Sequence, residues 1–417
     1  MRVAIIGGGI SGLLTAHLLR DEVDLAVFEK QDWIGGHSHT VELEEEHGSL
    51  SVDTGFIVFN EENYPIFSKL SQELEVETIP AEMSFGVHCE ESGLQYNARS
   101  FDTLFAQRSN LFSPSFWRML WEARYCRKSF PKLVEIEDEN LSVKEYLQAE
   151  GYSNSFIEKM ILPLAASIWS SPKSSVEAFP LKLFVTFFKN HGFLGHRRQY
   201  HWRTVKGGAK RYVEKLIQGF ADSIFKNTSV ERVLRRDSRV ELYLQDGRRD
   251  DFDEVIFACH SDEALKLLGD GATEDEREIL SALPYQENEV VLHWDRSLLP
   301  RQKKLWASWN YFIPKGEQES VCISYDMSIL QSLAGEREYI VTLNQRDRVD
   351  EARILGSYEY SHPQFLPGAL AAQRGHSIIS GKNRSHYCGA YWRYGFHEDG
   401  AMSALRVANA FGVSSEG

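Results

Sequence analysis

At 417 residues the chain can bury two or three domain-sized cores, and 42% hydrophobic with 25% charged content is ordinary for a soluble globular protein. A formal net charge of −14 provides no general basic field for phosphate, which argues against a nucleic-acid partner. Five cysteines, widely spaced and without a C-x-x-C pair, suggest neither a disulfide framework nor a zinc site and point to a reducing cytoplasm. The first strand begins at residue 2, where a cleaved leader has no room, and no apolar run approaches the roughly 18 residues of a membrane span.

In chain order, the apolar strand Val3 to Ile6 runs into Gly7-x-Gly9-x-x-Gly12, followed by a helical apolar pattern through Leu13, Leu14, Ala16, Leu18 and Leu19. A second strand, Leu25 to Phe28, ends on Glu29, seventeen residues after Gly12. These are the parts of a dinucleotide-binding βαβ unit. Gly7 permits the tight turn, Gly9 lets the backbone approach a pyrophosphate, and Gly12 lets helix pack closely on strand. Ile10 and Ser11 open the helix, whose free N–H groups and dipole favour phosphate, and Glu29 is placed to accept hydrogen bonds from a ribose. Lys30 and the pair Gly35-Gly36 follow.

Residues 39–44 and 50–59 read as strands, residues 64–74 as a helix, and residues 81–100 as short strands with a turn at Glu91-Ser-Gly93. From Phe101 to Leu194 the chain is mostly helical and unusually aromatic, with one cluster from Phe101 to Phe130 and another from Phe179 to Phe193. Val205-Lys-Gly-Gly208 opens a further helix. Strands follow at residues 230–234, 240–244, 255–258, 289–294, 321–325 and 339–343, and a last helix is expected from Gly400 to Ala410. Nucleotide-domain signals at the start, middle and end imply a discontinuous domain, with residues 1–80, 200–283 and 370–417 on one side and residues 81–199 and 284–369 forming an interrupting substrate domain.

The glycine triad, Glu29, Gly35-Gly36 and the late Gly389-Ala-Tyr-Trp-Arg-Tyr-Gly-Phe-His-Glu-Asp-Gly400 resemble FAD-dependent oxidoreductases of the flavin amine oxidase and phytoene desaturase superfamily. The phrases Val52 to Asn60, Asn288 to His293, Trp306 to Tyr311 and Val341 to Asn344 look like its bacterial branch found beside cyclopropane-fatty-acid-synthase-like methyltransferases. The resemblance implies an α/β fold: a Rossmann-like FAD-binding domain of the glutathione-reductase-like, amine-oxidase type, with an interleaved α+β substrate domain containing the aromatic helical region. It implies FAD held by Gly7, Gly9, Gly12, Glu29, Gly35 and Gly36, with Val233 or nearby Val230 at the adenine and Asp399, Gly400 and Ala401 beside the flavin. His37 stands where the superfamily usually has Arg.

A helix start at Asp399-Gly400 would stabilise negative charge on reduced flavin, although Glu398-Asp399 also suits a simple helix cap. A single glycine triad leaves no second nucleotide domain, so electrons would come from substrate and leave to oxygen or another acceptor. His397, His293 and Tyr394 are the candidate catalytic residues, the histidines because they titrate near neutrality. The aromatic middle could form a long apolar tunnel with a membrane-facing lip, where Lys182, Lys189, Arg197 and Arg198 would meet anionic head groups, or it could simply be helical core. The leading expectation is oxidation or desaturation of a methylated or cyclopropanated lipid acyl chain by a cytoplasmic, peripherally membrane-associated enzyme sharing a pathway with such a methyltransferase. An amine substrate, and a non-catalytic flavoprotein partner of a lipid enzyme, remain open.

Overall fold

The computed structural model describes residues 1–46, 48–192, 200–316 and 320–413. At its centre is a parallel sheet of five strands in the order Ser385–Tyr387, Glu254–Phe257, Arg2–Ile6, Asp24–Phe28, Ile224–Phe225. Strands from three distant parts of the chain therefore join the two N-terminal ones in a single sheet. Because side chains alternate along a strand, Val3, Ile5, Leu25 and Val27 face one core and Ala4, Ile6, Ala26 and Phe28 face another. The helices Ile10–Leu19 and His397–Ala410 cover the first face. The antiparallel strands Val230–Arg235, Val240–Leu244 and Arg249–Phe252 cover the second.

A seven-stranded sheet forms the other half, in the order Ile354–Pro363, Tyr285–His293, Ile340–Leu343, Ile323–Asp326, Trp309–Ile313, Phe85–Cys89, Gln95–Asn97. It is antiparallel except where Trp309–Ile313 runs parallel to Phe85–Cys89. The helical stretch from Phe101 to Asn190 packs against it, and Phe116, Phe130, Phe156, Trp169, Phe184 and Phe187 are buried there.

The strand expected over residues 50–59 stops at Asp53. Its buried carboxylate accepts from Thr40 Oγ1 (2.5 Å), Ala209 N (2.8 Å) and Gln331 Nε2 (2.9 Å), and the chain then turns so that Phe56 N meets the His37 carbonyl at 2.7 Å. Burial pushes Asp53 up to about 7. The last helix begins three residues earlier than expected, at His397. Several strands were not anticipated, among them Ile224–Phe225 and Ser385–Tyr387 of the central sheet and Trp309–Ile313 and Ile354–Pro363 of the seven-stranded one; Ile354–Pro363 is a sheet edge, half-solvated and too polar to stand out as an apolar run.

Gly12 packs the first helix on the first strand so closely that a Cβ would overlap the Gly7 carbonyl oxygen and approach Ala258 Cβ at 3.1 Å. Backbone on one side and a sheet strand on the other leave little to yield. Gly12→Ala should lower unfolding stability by about 1–3 kcal/mol, measured by urea denaturation.

Candidate active site

A cavity of about 2260 Å³ runs between the two halves. That is several times the roughly 300–1,000 Å³ of a typical small-molecule pocket, room for a large cofactor and a substrate together. At one end lie Gly7, Gly9, Ile10, Ser11, Glu29, Lys30, Gly35, Gly36 and His37, joined by Val230 and His260. Gly7, at φ +112°, turns beneath the Ala258 carbonyl, 2.7 Å from where a Cβ would sit. A Cβ on Gly9 would meet nothing within 4 Å, because it faces the cavity. Gly35 N donates to the Gly8 carbonyl at 2.8 Å, and a Cβ on Gly36 would come within 3.1 Å of Gly9 Cα. The two glycine segments cross backbone to backbone.

Glu29 ends the second strand, buried, with Gly8 N donating to one carboxylate oxygen and Gln31 N to the other, both at 2.8 Å. Burial raises its pKa, opposed by those two N–H donors and by Lys30, which pairs with Glu263 at 2.5 Å. The first helix carries no side-chain cap, so its N-terminal N–H groups face the cavity with the open Gly9 cradle. An uncapped buried helix start, an open glycine turn and a carboxylate with lone pairs to spare suit the pyrophosphate and ribose of a dinucleotide.

Further along, the wall gathers His37, His397, Tyr360 and His362. His397 stacks on Phe56 (3.8 Å between ring centroids, 9° between planes), and its Nε2 is 2.9 Å from the Tyr212 hydroxyl, itself 2.6 Å from Ser38 Oγ. Burial, with His37 nearby, pushes His397 down to about 3. Burial, with His260 nearby, takes His37 to about 4, and His37 Nε2 is buried without a hydrogen-bond partner. His362 lies well below its ordinary value for the same reason, and Asn288 Nδ2 donates to its Nδ1 at 3.0 Å. A neutral His362 therefore carries its proton on Nε2. All three rings are uncharged at neutral pH. The Tyr360 hydroxyl sits 2.6 Å from Thr54 Oγ1 and 2.7 Å from His39 Nδ1.

Several expected site residues stand elsewhere. Val233 is packed in the core opposite Leu242, and Val230 faces the cavity instead. His293 is buried within the seven-stranded sheet and away from the cavity wall, its Nε2 2.7 Å from Thr342 Oγ1 and its Nδ1 accepting from Asp295 N. Asp399 caps its own helix, accepting from Phe396 N at 2.9 Å and Tyr394 N at 3.3 Å, and burial raises it to about 7. Gly400 and Ala401 are buried behind it. A Cβ on Gly400 would lie 2.8 Å from Ile10 Cγ2 and 2.9 Å from Ser11 Oγ, so this glycine seats the last helix on the first. The stretch of this segment that reaches the cavity is Gly389, Ala390 and Gly395 to His397. Tyr394 and Asp399 line a separate pocket of about 640 Å³. Lys182 is paired with Glu139 at 3.1 Å, and Arg197 and Arg198 lie outside the described residues. Tyr285, Tyr358, Tyr360 and His362 were missed; the last three alternate along the unanticipated edge strand, and that period of two was the available signal.

The family model for flavin-containing amine oxidoreductases matches residues 10–358. The chain belongs to that family, and it is an FAD-dependent oxidoreductase. Among solved structures of similar fold, cyclohexylamine oxidase from Brevibacterium oxydans shares 15% identity over 98% of each chain, with a TM-score of 0.70. Putrescine oxidase bound to putrescine shares 14% over 99% of each chain, at 0.68. A CLA-producing fatty acid isomerase from P. acnes shares 15% over 98% of each chain, at 0.67. No curated protein matches the sequence.

Two measurements check the site. Glu29→Ala should weaken FAD retention about 10- to 100-fold, the worth of hydrogen bonds to a charged group, read by equilibrium dialysis. For His397, the folded pKa of about 3 lies below the unfolded value near 6.5, so the unfolded chain binds the extra proton and stability falls as pH drops through that window. His397→Phe should remove about 2 kcal/mol of the stability lost between pH 7 and pH 5, compared with the parent by urea denaturation at both.

Proposed function

We propose that the enzyme oxidises or desaturates an apolar, chain-like substrate with an anionic end, best met by a methylated or cyclopropanated fatty acyl chain of a lipid. The observation that carries this reading is the cavity wall between residues 83 and 192. It is built from Leu104, Leu120, Met160, Ile161, Leu164 and Phe187 among others, and its fixed charges are Arg99 and Arg127, with no Asp or Glu. The carboxylates on the wall, such as Glu29, Glu231 and Glu263, belong to the nucleotide end and the outer sheet strands. A long alkyl chain gains about 0.8 kcal/mol per buried CH₂ in such an arm, and a carboxylate or phosphate finds guanidinium groups. An ammonium there would meet two guanidinium groups, one of them, Arg99, paired with Glu82 at 2.7 Å.

Bound FAD supplies the hydride acceptor at its N5. The chain's own groups hold the acyl carbon against it, exclude water and receive the proton that leaves with the hydride. Neutral His37, with its unpartnered Nε2, and His397 are the available acceptors on the wall, with His39 reached through the Tyr360 hydroxyl. A methyltransferase that alkylates acyl chains is the class of enzyme that would supply such a substrate. The fatty acid isomerase of similar fold supports this reading by analogy alone.

An amine substrate is the second reading. Tyr358 and Tyr360 both line the cavity with their rings nearly parallel, 6.2 Å apart and 6° between planes, a surface that a cation can approach. Anaerobic titration separates the two. Fatty acyl anions should bleach the visible flavin absorbance and primary amines should not; bleaching by amines alone overturns the lipid reading, and bleaching by neither points to a flavoprotein without turnover. Arg99→Ala should raise KM for the acyl substrate about 10-fold or more with kcat little changed.

A further inference from the structure

Of nine large apolar side chains left exposed among the described residues, five fall between residues 101 and 125: Phe101 (69% exposed), Phe112 (86%), Trp117 (44%), Trp121 (64%) and Tyr125 (47%). They are contiguous. The ring of Phe105 lies 4.7 Å from Phe101 and 5.0 Å from Trp117, and Trp117 Nε1 donates to the Leu111 carbonyl beside Phe112. Trp117, Trp121 and Tyr125 then follow at intervals of four along the helix Pro114–Ser129, the last two stacked at 5.7 Å. At about 200 Å² per ring, the five together expose roughly 600 Å², at the upper edge of the largest patch a monomer leaves uncovered.

The charge on the same helix is opposite to that of the protein. It carries Arg118, Arg124, Arg127 and Lys128 against a single acid, Glu122, which is buried and held by Arg118 at 2.9 Å and by Ser153. Arg108 precedes it and Lys132 follows, in a chain whose net charge is −14. The inner face of this helix supplies Leu120, Ala123 and Cys126 to the cavity wall. One helix thus separates the apolar arm of the site from a surface of exposed aromatics and cations.

We propose that this face docks on an anionic lipid bilayer, with Phe101, Phe112, Trp117, Trp121 and Tyr125 entering the interface and Arg124 and Lys128 meeting the head groups. Rings with a polar edge settle at the water–lipid boundary, and each basic residue near an anionic surface adds about a factor of 5 in binding. The docked surface differs from the Lys182 and Lys189 region expected from the sequence. The inference rests on surface residues alone and does not require the lipid substrate reading, since association is measured without turnover.

The test is flotation of the FAD-loaded enzyme with vesicles of phosphatidylglycerol and phosphatidylcholine, against phosphatidylcholine alone. Binding is expected to the anionic vesicles and to weaken in high salt, with a blue shift of tryptophan fluorescence that Trp117 and Trp121 report. Arg124→Gln with Lys128→Gln should reduce binding about 30-fold, and Phe112→Ser with Trp121→Ser at least 10-fold, with FAD content unchanged in both pairs. Absence of binding to either vesicle overturns the proposal. So does binding that survives the aromatic replacements, or a dimer broken by those replacements in a protein that ignores vesicles.

Discussion

The site depends on the crossing of two glycine segments. Where Gly8-Gly9 meets Gly35-Gly36, the backbones are joined by a hydrogen bond and packed so closely that a Cβ on Gly36 would come within 3.1 Å of Gly9 Cα. Everything that faces the cavity at the nucleotide end is positioned from there. The first helix starts at the crossing with its N–H groups uncapped, Glu29 is held beneath it through Gly8 N, and His37 emerges directly from the second segment. The last helix is then laid over the first through Gly400, which brings Gly395 to His397 onto the same wall. Small residues at four places in the sequence produce one continuous surface of backbone.

That construction explains the electrostatics. With backbone supplying the anion-binding groups, the side chains around the middle of the cavity need not be charged, and burial keeps His37, His362 and His397 neutral. The superfamily's usual Arg after the second glycine pair would bring a fixed cation to the place where His37 offers an unpartnered nitrogen. Cations appear instead farther out, at Arg99 and Arg127 in the apolar arm. The histidine-lined middle of the cavity is thus uncharged, and its nearest guanidinium groups stand in the apolar arm, Arg99 paired there with Glu82.

The glycines were legible in the sequence because only backbone geometry explains them, and Glu29 because it ends a strand at a fixed distance from the triad. Residues whose role depends on register were not. His293 alternates with apolar neighbours, and only the pairing with Ile340–Leu343 shows that its ring ends inside the sheet against Thr342. Val230 and Val233 share one strand, and the register shift after Val230 lies between them. Asp399 has the signature of a flavin-side carboxylate and of a helix cap, and the hydrogen bonds from Phe396 and Tyr394 give it the second role. Tyr358, Tyr360 and His362 went unread because serine and glutamate alternate with them, so the edge strand shows no apolar run. The aromatic middle holds both kinds of residue: Phe116 and Phe130 are core, while Phe112 and Trp121 are surface, and composition could not divide them.

The order of the central sheet has a consequence for how the protein is made. Its innermost strand is synthesised some 250 residues before one neighbour, Glu254–Phe257, and the outer strand Ser385–Tyr387 and the helix over Ile10 come later still. Such distant pairings carry a large loop-closure entropy and form late. The apolar strand Val3 to Ile6 must therefore wait, unpaired on one edge, until that neighbour is made, in a state where it is open to chaperones and to wrong partners. The strand left open meanwhile is the one that leads into the glycine turn of the nucleotide end.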